Sequence, residues 1–391
     1  MKILITTDLF TTETNGVVTS VKNLYEAMKA RGHDVRILTI SESTHSHNDG
    51  DVYYIRSVSL EAVYPNVRMP VSYHHRLIKE LIEWHPDVIH SQCELFSFRF
   101  AMHVSKLTGA PIVHTYHTMY EQYVTYVIPA ERLGKFIVKI MSRSTLNKVE
   151  HVVVPTEKVE EVLHNYGIER NISVVPSGIS LEQHMKRLTA EERAAKRAEL
   201  GIDENSIVLV NLGRLGEEKN VHELLRYFAR ALEENESLAF LIVGDGPARP
   251  VLEKLCEELK IKDKVVFTGM VEPLKVYQYY QTGDIFVSAS TSETQGLTYI
   301  EAAANGLPLL CRKDPCLEGV IKNSENGFEY TDEDEFISAL RFMASNEKWR
   351  KNAALESEKT ARAYGKEAFA EAIEKIYVSV LQKDHIGGQY S

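Results

Sequence analysis

Two rhythms of apolar and polar positions alternate along the chain. Short continuous apolar runs are followed by longer stretches in which apolar residues recur every three or four positions. The first rhythm suits strands buried on both faces, and the second suits amphipathic helices laid over them. Ile3–Thr6 reads as a first strand, followed by a helix around Val17–Arg31, a stop at Gly32 and a strand over Asp34–Ile40. Asp87–His90 and Pro111–Thr115 flank a helix over Phe96–Thr108, and His151–Pro155 and Ile172–Val175 continue the series. Strand–helix–strand repetition with short connections predicts parallel sheets covered on both faces.

The pattern breaks at Pro176-Ser177-Gly178, passes through a charged helical stretch, Glu191–Glu199, and Gly201, and then restarts. Ile207–Leu212, Ala239–Val243, Val265–Phe267, Ile285–Ser288 and Leu307–Cys311 read as strands, and nearly everything from Asp332 on reads as helix. The break near 176–200 predicts two α/β domains, residues 1–180 and 181–365. Residues 366–391 are expected to form a terminal helix that packs back on the N-terminal domain, with a frayed tail. Two doubly wound, Rossmann-like domains facing each other leave a cleft. Ligands of such sheets bind beyond the carboxyl ends of the strands, so the chemistry is expected on the loops that follow them.

Composition narrows the class. In 391 residues, 44% are hydrophobic and 26% charged, which excludes a disordered chain and suits more than one core. The apolar stretch at the N-terminus is too short for a signal-peptide core, and no run reaches the length of a membrane span. Cys93, Cys256, Cys311 and Cys316 lack zinc-like spacing, so free thiols in a cytoplasmic protein are expected. The net charge is −10, yet residues 1–175 carry 18 Lys+Arg against 19 Asp+Glu and hold 12 of the 15 histidines. The acidic excess therefore lies in the second part, and the two halves differ in character. A sequence pI near 5.9 argues against general nucleic-acid binding.

The strand Ile207–Leu212 runs into Gly213-Arg214-Leu215-Gly216-Glu217-Glu218-Lys219-Asn220, after which a helix begins. Glycines admit backbone close to a ligand, and Arg214 and Lys219 add cations beside a helix start that already favours anions. That arrangement suits a pyrophosphate; the same residues suit a solvated loop. Further on, Ser290–Thr298 leads into a helix expected to start near Gly296, whose first free amides would come from Gly296, Leu297 and Thr298. Glu293 precedes that start and Glu301 lies inside the helix. Eight helical residues span ~12 Å, enough for one carboxylate to meet a sugar and the other a ribose with phosphate amides between. On spacing alone, a capping acid and an ordinary helix glutamate fit as well.

Taken in order, the Arg214–Asn220 loop, Val243-Gly244-Asp245-Gly246-Pro247, Phe267-Thr268-Gly269 and Glu293…Glu301 with Gly296-Leu297 resemble the retaining GT-B glycosyltransferases that include glycogen synthase and the phosphatidylinositol mannosyltransferases. The resemblance covers nearly the whole chain. It implies two Rossmann-like domains facing across a cleft, the first for the acceptor and the second for a nucleotide sugar. It implies that Arg214 and Lys219 bind the diphosphate, Glu293 the transferred sugar, Glu301 the ribose, and the Gly296–Thr298 amides the distal phosphate, with the base near Val271. The loop Asp8–Val17 follows the first strand, and its single glycine, Gly16, would approach the phosphates. Many relatives carry paired glycines there; Asn15-Gly16 resembles the lipid-directed subgroup. Charge on the leaving diphosphate would be met by cations and amides, so no metal is expected to be obligatory, with Mg2+ at most a stimulant.

His114-Thr115-Tyr116-His117-Thr118-Met119-Tyr120-Glu121 is similar to a stretch in bacterial diacylglycerol glucosyltransferases, which implies His117 as the acceptor-side catalytic residue. A third ligand at metal-like spacing is not evident beside His114 and His117. A satisfied strand-end residue is the plainer reading of His114. Asp49-Gly50-Asp51 precedes its strand and reads as a turn rather than a metal triplet, and Gly244-Asp245-Gly246 does not extend to G-x-G-x-x-G. Tyr120 and Tyr123 lead into a helical stretch in which Lys135, Lys139 and Arg143 share a face and Leu133, Phe136, Ile137, Ile140 and Met141 crowd the others. Periodicity alone suits a core helix with a solvated basic rim; the resemblance points to an anionic membrane surface. The loop around Tyr64–Pro70, with Arg76 and Lys79 beyond it, is a second candidate edge.

The resemblance thus implies a retaining hexosyltransferase that moves glucose from UDP-glucose to the sn-3 hydroxyl of 1,2-diacylglycerol, peripheral on the inner face of the cell membrane. The alternatives are another nucleotide sugar or a soluble acceptor on the same fold, a nucleotide-sugar epimerase, or a non-catalytic membrane-binding relative.

Overall fold

A computed structural model describes residues 1–10, 16–60, 68–117 and 131–387. The chain divides into two units, Met1–Gly178 with the segment from Lys366 on, and Ile179–Gly365.

In the first unit, β1 (Lys2–Thr7), β2 (Asp34–Ile40), β3 (His47–Asp49), β4 (Val52–Ile55), β7 (Val88–Ser91), β8 (Ile112–Thr115), β9 (His151–Val154) and β10 (Asn171–Val174) form a sheet in the order β10-β9-β8-β7-β1-β2-β4-β3. Only β3 is antiparallel, joined to β4 by a turn in which Gly50 has φ +56°. The Asp49-Gly50-Asp51 triplet is thus a hairpin turn, and Asp51 accepts a hydrogen bond from the Tyr25 hydroxyl at 2.9 Å and pairs with Lys29. A short antiparallel pair, β5 (Ser57–Ser59) and β6 (Arg68–Pro70), stands apart.

Alternation along β1 shows why the run is apolar throughout. Leu4 faces a core shared with the helices Arg76–Trp84 and Phe96–Thr108, while Ile3 and Ile5 face a second core shared with the helix Gly16–Ala30. The terminal helix, Lys366–Gly387, closes that second core with Phe369, Ile373, Tyr377 and Val380. His33 lies 2.7 Å from Glu374 of the same helix, which also pairs with Arg31.

The second unit is all parallel, with β11 (Ile207–Leu212), β12 (Leu238–Val243), β13 (Val265–Phe267), β14 (Ile285–Ser288), β15 (Leu309–Arg312) and β16 (Gly327–Tyr330) in the order β13-β12-β11-β14-β15-β16. Leu209, Phe240 and Val287 face one core; Val208, Leu241 and Phe286 face the other. β15 begins two residues later than the apolar run suggests, because Pro308 has no N–H to give to a ladder. β16 is a strand the apolar pattern does not announce, since Gly327 and Glu329 interrupt it. Gly327 is needed there, as a Cβ would stand 2.2 Å from the Leu309 carbonyl oxygen.

The helix Ala190–Glu199 carries a buried polar anchor for this sheet. The Arg197 guanidinium donates to the carbonyls of Thr282, Glu204 and Ser206 and to Asp284 at 2.8 Å. Asp284 also accepts from Arg193 at 2.7 Å and from the Val208 amide at 2.8 Å, which ties the start of β14 to β11.

Candidate functional site

The parallel strands of the second unit release four loops at their carboxyl ends, and backbone hydrogen bonds stack three of them. Gly213 N donates to Val243 O at 3.0 Å, Leu215 N to Asp245 O at 2.9 Å, and Gly244 N to Gly269 O at 3.1 Å. The glycines make that closeness sterically allowed. Gly213 (φ +151°) and Gly244 (φ +126°) touch so tightly that a Cβ on Gly244 would lie 2.0 Å from the Gly213 carbonyl oxygen. A left-handed φ alone costs a non-glycine residue of order 1–3 kcal/mol, and this clash is with backbone that has nowhere to retreat. Gly244→Ala is expected to displace the loop bearing Arg214 and to weaken binding of the UDP that the resemblance implies by about tenfold or more, since ~1.4 kcal/mol is a factor of ten. Calorimetric titration below the variant's melting transition checks this.

Arg214 is largely exposed and pairs with Glu218 at 2.5 Å, while Lys219 is three-quarters buried and pairs with Glu293 at 2.5 Å. The Ser292 hydroxyl donates to the Glu218 carbonyl at 3.2 Å, so the cationic loop and the loop after β14 hold one another. Glu218 is the partner sequence reasoning missed. Its carboxylate folds over Gly216, where a Cβ would meet it at 2.3 Å. A charged residue four positions after an arginine was the available signal.

The helix Leu297–Ala304 starts after Gly296, whose φ of +72° and lack of a side chain bring the chain against the Tyr299 ring. Leu297 and Thr298 occupy its first turn, whose amides have no intrahelical partner. Glu293 lies in the non-helical loop before it, so the nine residues from Glu293 to Glu301 are not one helical run, and the ~12 Å rise does not apply. The loop instead turns Glu293 back onto Lys219. Glu301 accepts from the Tyr280 hydroxyl at 2.9 Å, and His184 Nε2 lies 4.0 Å from its other oxygen. Neither partner was legible in the motif. Val271 is half-buried two residues past Gly269, at the end of the β13 loop.

In the first unit the carboxyl ends of β1, β7 and β8 gather a second polar group. Gly16 opens the helix Gly16–Ala30 and is exposed; the rest of its loop, residues 11–15, lies outside the described residues. His90 is fully buried between the hydroxyls of Tyr377 at 2.6 Å and Thr115 at 2.7 Å. His114 is not the satisfied strand-end residue expected. Its Nε2 reaches Glu94 at 3.2 Å, but its Nδ1 is buried with no hydrogen-bond partner among the described residues.

His117 Nε2 lies 2.7 Å from Gln92 Oε1, so Nε2–H donates to that carbonyl. Burial, reinforced by the neighbouring His114, pushes the His117 imidazolium down to about 3. At neutral pH its Nδ1 is therefore a bare lone pair, a hydrogen-bond acceptor rather than a store of protons. Among the described residues no cluster of three or more His, Cys, Asp or Glu side chains is placed to hold a metal.

Asp8 ends β1 beside this group. It accepts from the Ser97 amide at 2.6 Å, yet burial raises its carboxyl to about 6, with Glu94 adding to the rise. Between the ordinary carboxylate range near 4 and about 6 the folded chain holds the proton more tightly than the unfolded one. This group's stabilisation is thus fully present below pH ~4 and is lost as pH rises through about 6. Urea midpoints of wild type and Asp8→Asn between pH 4 and 8 should show wild type losing stability relative to the variant up to about pH 6, then a constant difference. A difference independent of pH would refute the assignment.

The helix Glu131–Leu146 reverses the core-helix reading of its periodicity. Gly134, Val138, Ser142, Thr145 and Leu146 face inward, while Leu133, Phe136 (59% exposed), Ile137 and Ile140 (52%) face out. Small residues on the inner face allow close packing, so the larger apolar stripe is left to solvent. Lys135, Lys139 and Arg143 are exposed on the adjoining face; Lys139 donates to the Asn165 carbonyl at 2.8 Å and Arg143 lies against Gly167. Tyr120, Tyr123 and the segment Tyr64–Val67 lie outside the described residues; Arg76 and Lys79 lie on the helix Arg76–Trp84.

Residues 14–183 match the family model Glycosyltransferase Family 4, and residues 192–362 match Glycosyl transferases group 1. The α-monoglucosyldiacylglycerol synthase of Streptococcus pneumoniae is 31% identical over 98% of this chain and 88% of its own length. The enzyme of the same name from Acholeplasma laidlawii is 30% identical over 98% of both. Among solved structures, Anabaena HepE in complex with UDP and glucose superposes with a TM-score of 0.75 at 15% identity, over 97% of this chain and all of that one. Two α/β units, each built on a mainly parallel sheet, glycine-stacked loops and a nearly full-length match agree: the chain belongs to the GT-B glycosyltransferases, family 4 in its N-terminal part and group 1 in its C-terminal part, and is a hexosyltransferase.

Proposed function

We propose that the chain transfers glucose from UDP-glucose to the sn-3 hydroxyl of 1,2-diacylglycerol with retention of configuration. The observation that carries this reading is the match, over almost the whole chain, to two proteins named α-monoglucosyldiacylglycerol synthase. The second unit supports it chemically. Breaking the anomeric bond drives negative charge onto the diphosphate. Arg214, Lys219 and the first amides of the helix Leu297–Ala304 are preorganised donors for that charge, so no metal ion is required for it. Glu293 leaves Lys219 in part and orients the sugar hydroxyls, and Glu301, held by Tyr280, accepts from the ribose. The leaving phosphate takes the acceptor proton, and His117 accepts a hydrogen bond from the incoming hydroxyl through Nδ1. Gly16 approaches the phosphates and Val271 borders the base.

The first unit presents the lipid. The outward stripe Leu133, Phe136, Ile137 and Ile140 enters the membrane interface. Lys135, Lys139 and Arg143 lie beside it toward anionic headgroups, each cation contributing about 1 kcal/mol. Tyr120 and Tyr123 belong to the same acceptor side. Among the described residues no helix is long and apolar enough to cross a membrane, and peripheral attachment to the inner face of the cell membrane fits that pattern.

Incubation with a panel of radiolabelled UDP-sugars, and with diacylglycerol in phosphatidylglycerol vesicles or soluble sugars as acceptors, tests the reading. The expected product is an α-glucosyl diacylglycerol, formed with EDTA present. Transfer only to soluble acceptors would reject the reading. Salt that fails to release the protein from anionic vesicles would reject the basic face.

A further inference from the structure

The first unit contains a cavity of about 480 Å3 between the helices Phe96–Thr108 and Glu131–Leu146. That lies within the ~300–1,000 Å3 range of ligand clefts. Its lining combines the apolar Leu95, Phe96, Phe98, Met102 and Met141 with Thr145 and the charged Glu94, Arg99 and Lys148. Met102 and Met141, one from each helix, give a lining that adapts to a flexible guest.

Met141 follows Ile140 and lies four residues after Ile137 on the helix Glu131–Leu146, next to the solvent-facing stripe. Arg99 and Lys148, both exposed, stand at the edge. Glu94, in the same lining, bonds His114 at 3.2 Å, with the Phe98 ring edge-on to that imidazole at 5.8 Å. Two residues before Glu94, Gln92 holds His117 at 2.7 Å. Both Gln92 Nε2 and His114 Nδ1 are buried with no hydrogen-bond partner among the described residues. A buried donor and a buried ring nitrogen left unbonded are costly unless a ligand meets them.

The geometry points to this cavity as the binding site for one acyl chain of the lipid acceptor. The chain enters from the exposed stripe of Glu131–Leu146 and the glycerol end reaches the Gln92–His117 group. The inference rests on the proposed diacylglycerol acceptor. An amphiphile with a long apolar body and a small hydroxyl-bearing head matches a lining of five apolar side chains that also includes Glu94, two residues from Gln92. The membrane stripe alone would concentrate the protein at a lipid surface; the cavity withdraws a single chain from it.

Photolabelling by a diacylglycerol bearing a mid-chain diazirine, in phosphatidylglycerol vesicles with the wild-type chain, reads the site without activity. Labels on peptides from both Phe96–Thr108 and Met141–Lys148 are expected. Labels confined to the outward residues Leu133–Ile140, or none on the protein, would overturn the proposal. Met102→Trp and Met141→Trp should each lower the ratio of kcat/KM for dioleoylglycerol over dibutanoylglycerol by about tenfold or more. UDP binding and vesicle sedimentation serve as controls for fold and membrane adhesion. An unchanged ratio in both folded variants would overturn it. Absence of any glucosyl diacylglycerol from wild type would refute the proposed reaction instead, and the photolabelling would still decide the cavity.

Discussion

Lys219→Ala is expected to lower kcat on UDP-glucose by roughly 10²–10³, the usual cost of removing one preorganised donor from a developing charge. Lys219 is held by Glu293 at 2.5 Å and sits at the turn where the cationic loop enters the helix Val221–Glu234. The pair ties that cation to the loop that leads into the helix Leu297–Ala304 before any phosphate arrives. The same variant should weaken UDP binding by about tenfold to a hundredfold, in line with ~1.5–3 kcal/mol for a charge-assisted hydrogen bond. Glu293→Gln separates the two roles. It retains UDP affinity within a few-fold of wild type, since the diphosphate keeps its cation, but loses turnover because the sugar is no longer oriented by a carboxylate. Isothermal titration with UDP and steady-state kinetics on both variants decide this. Wild-type turnover in Lys219→Ala would remove the charge-stabilising role assigned to the loop.

Arg197→Leu is expected to destabilise the second unit by ~3–5 kcal/mol, the cost of removing one member of a buried ion pair. The loss extends beyond the pair. Arg197 donates to three carbonyls as well as to Asp284, and leucine leaves all of these without that donor. Asp284 keeps Arg193 and the Val208 amide at the start of β14. Against a typical total stability of ~5–15 kcal/mol the change is large. It should appear as a lower urea midpoint with an unchanged slope. UDP affinity in the folded protein should hold, because the substitution lies at the opposite end of β14 from Glu293. A midpoint shift worth less than about 1 kcal/mol would mean that water replaces the guanidinium freely.

Much of the architecture was legible in the chain because parallel strands buried on both faces are apolar without interruption. Asp34–Ile40, Phe96–Thr108, Ile207–Leu212, Val265–Phe267 and Ile285–Ser288 have the bounds their patterns predict. β16 and the helix Arg76–Trp84 escaped, the first because glycine and glutamate break its run, the second because a nine-residue helix offers few turns to recognise. Of the site, the glycines were readable as places where backbone meets backbone. Their partners were not: the 2.0 Å limit at Gly244 is set by Gly213, thirty-one residues away in sequence.

From the order of residues alone came the two α/β repeats, the loops that bear chemistry, and the kinship of those loops with the GT-B enzymes. Periodicity and local spacing carry that information, since each depends on neighbours along the chain. Which way the helix Glu131–Leu146 turns its apolar stripe, that Glu293 bends back onto Lys219, and that burial leaves His117 neutral were decided only by folding. Facing, ion pairing and desolvation depend on what packs alongside from distant parts of the chain, and a linear pattern holds no record of that neighbour.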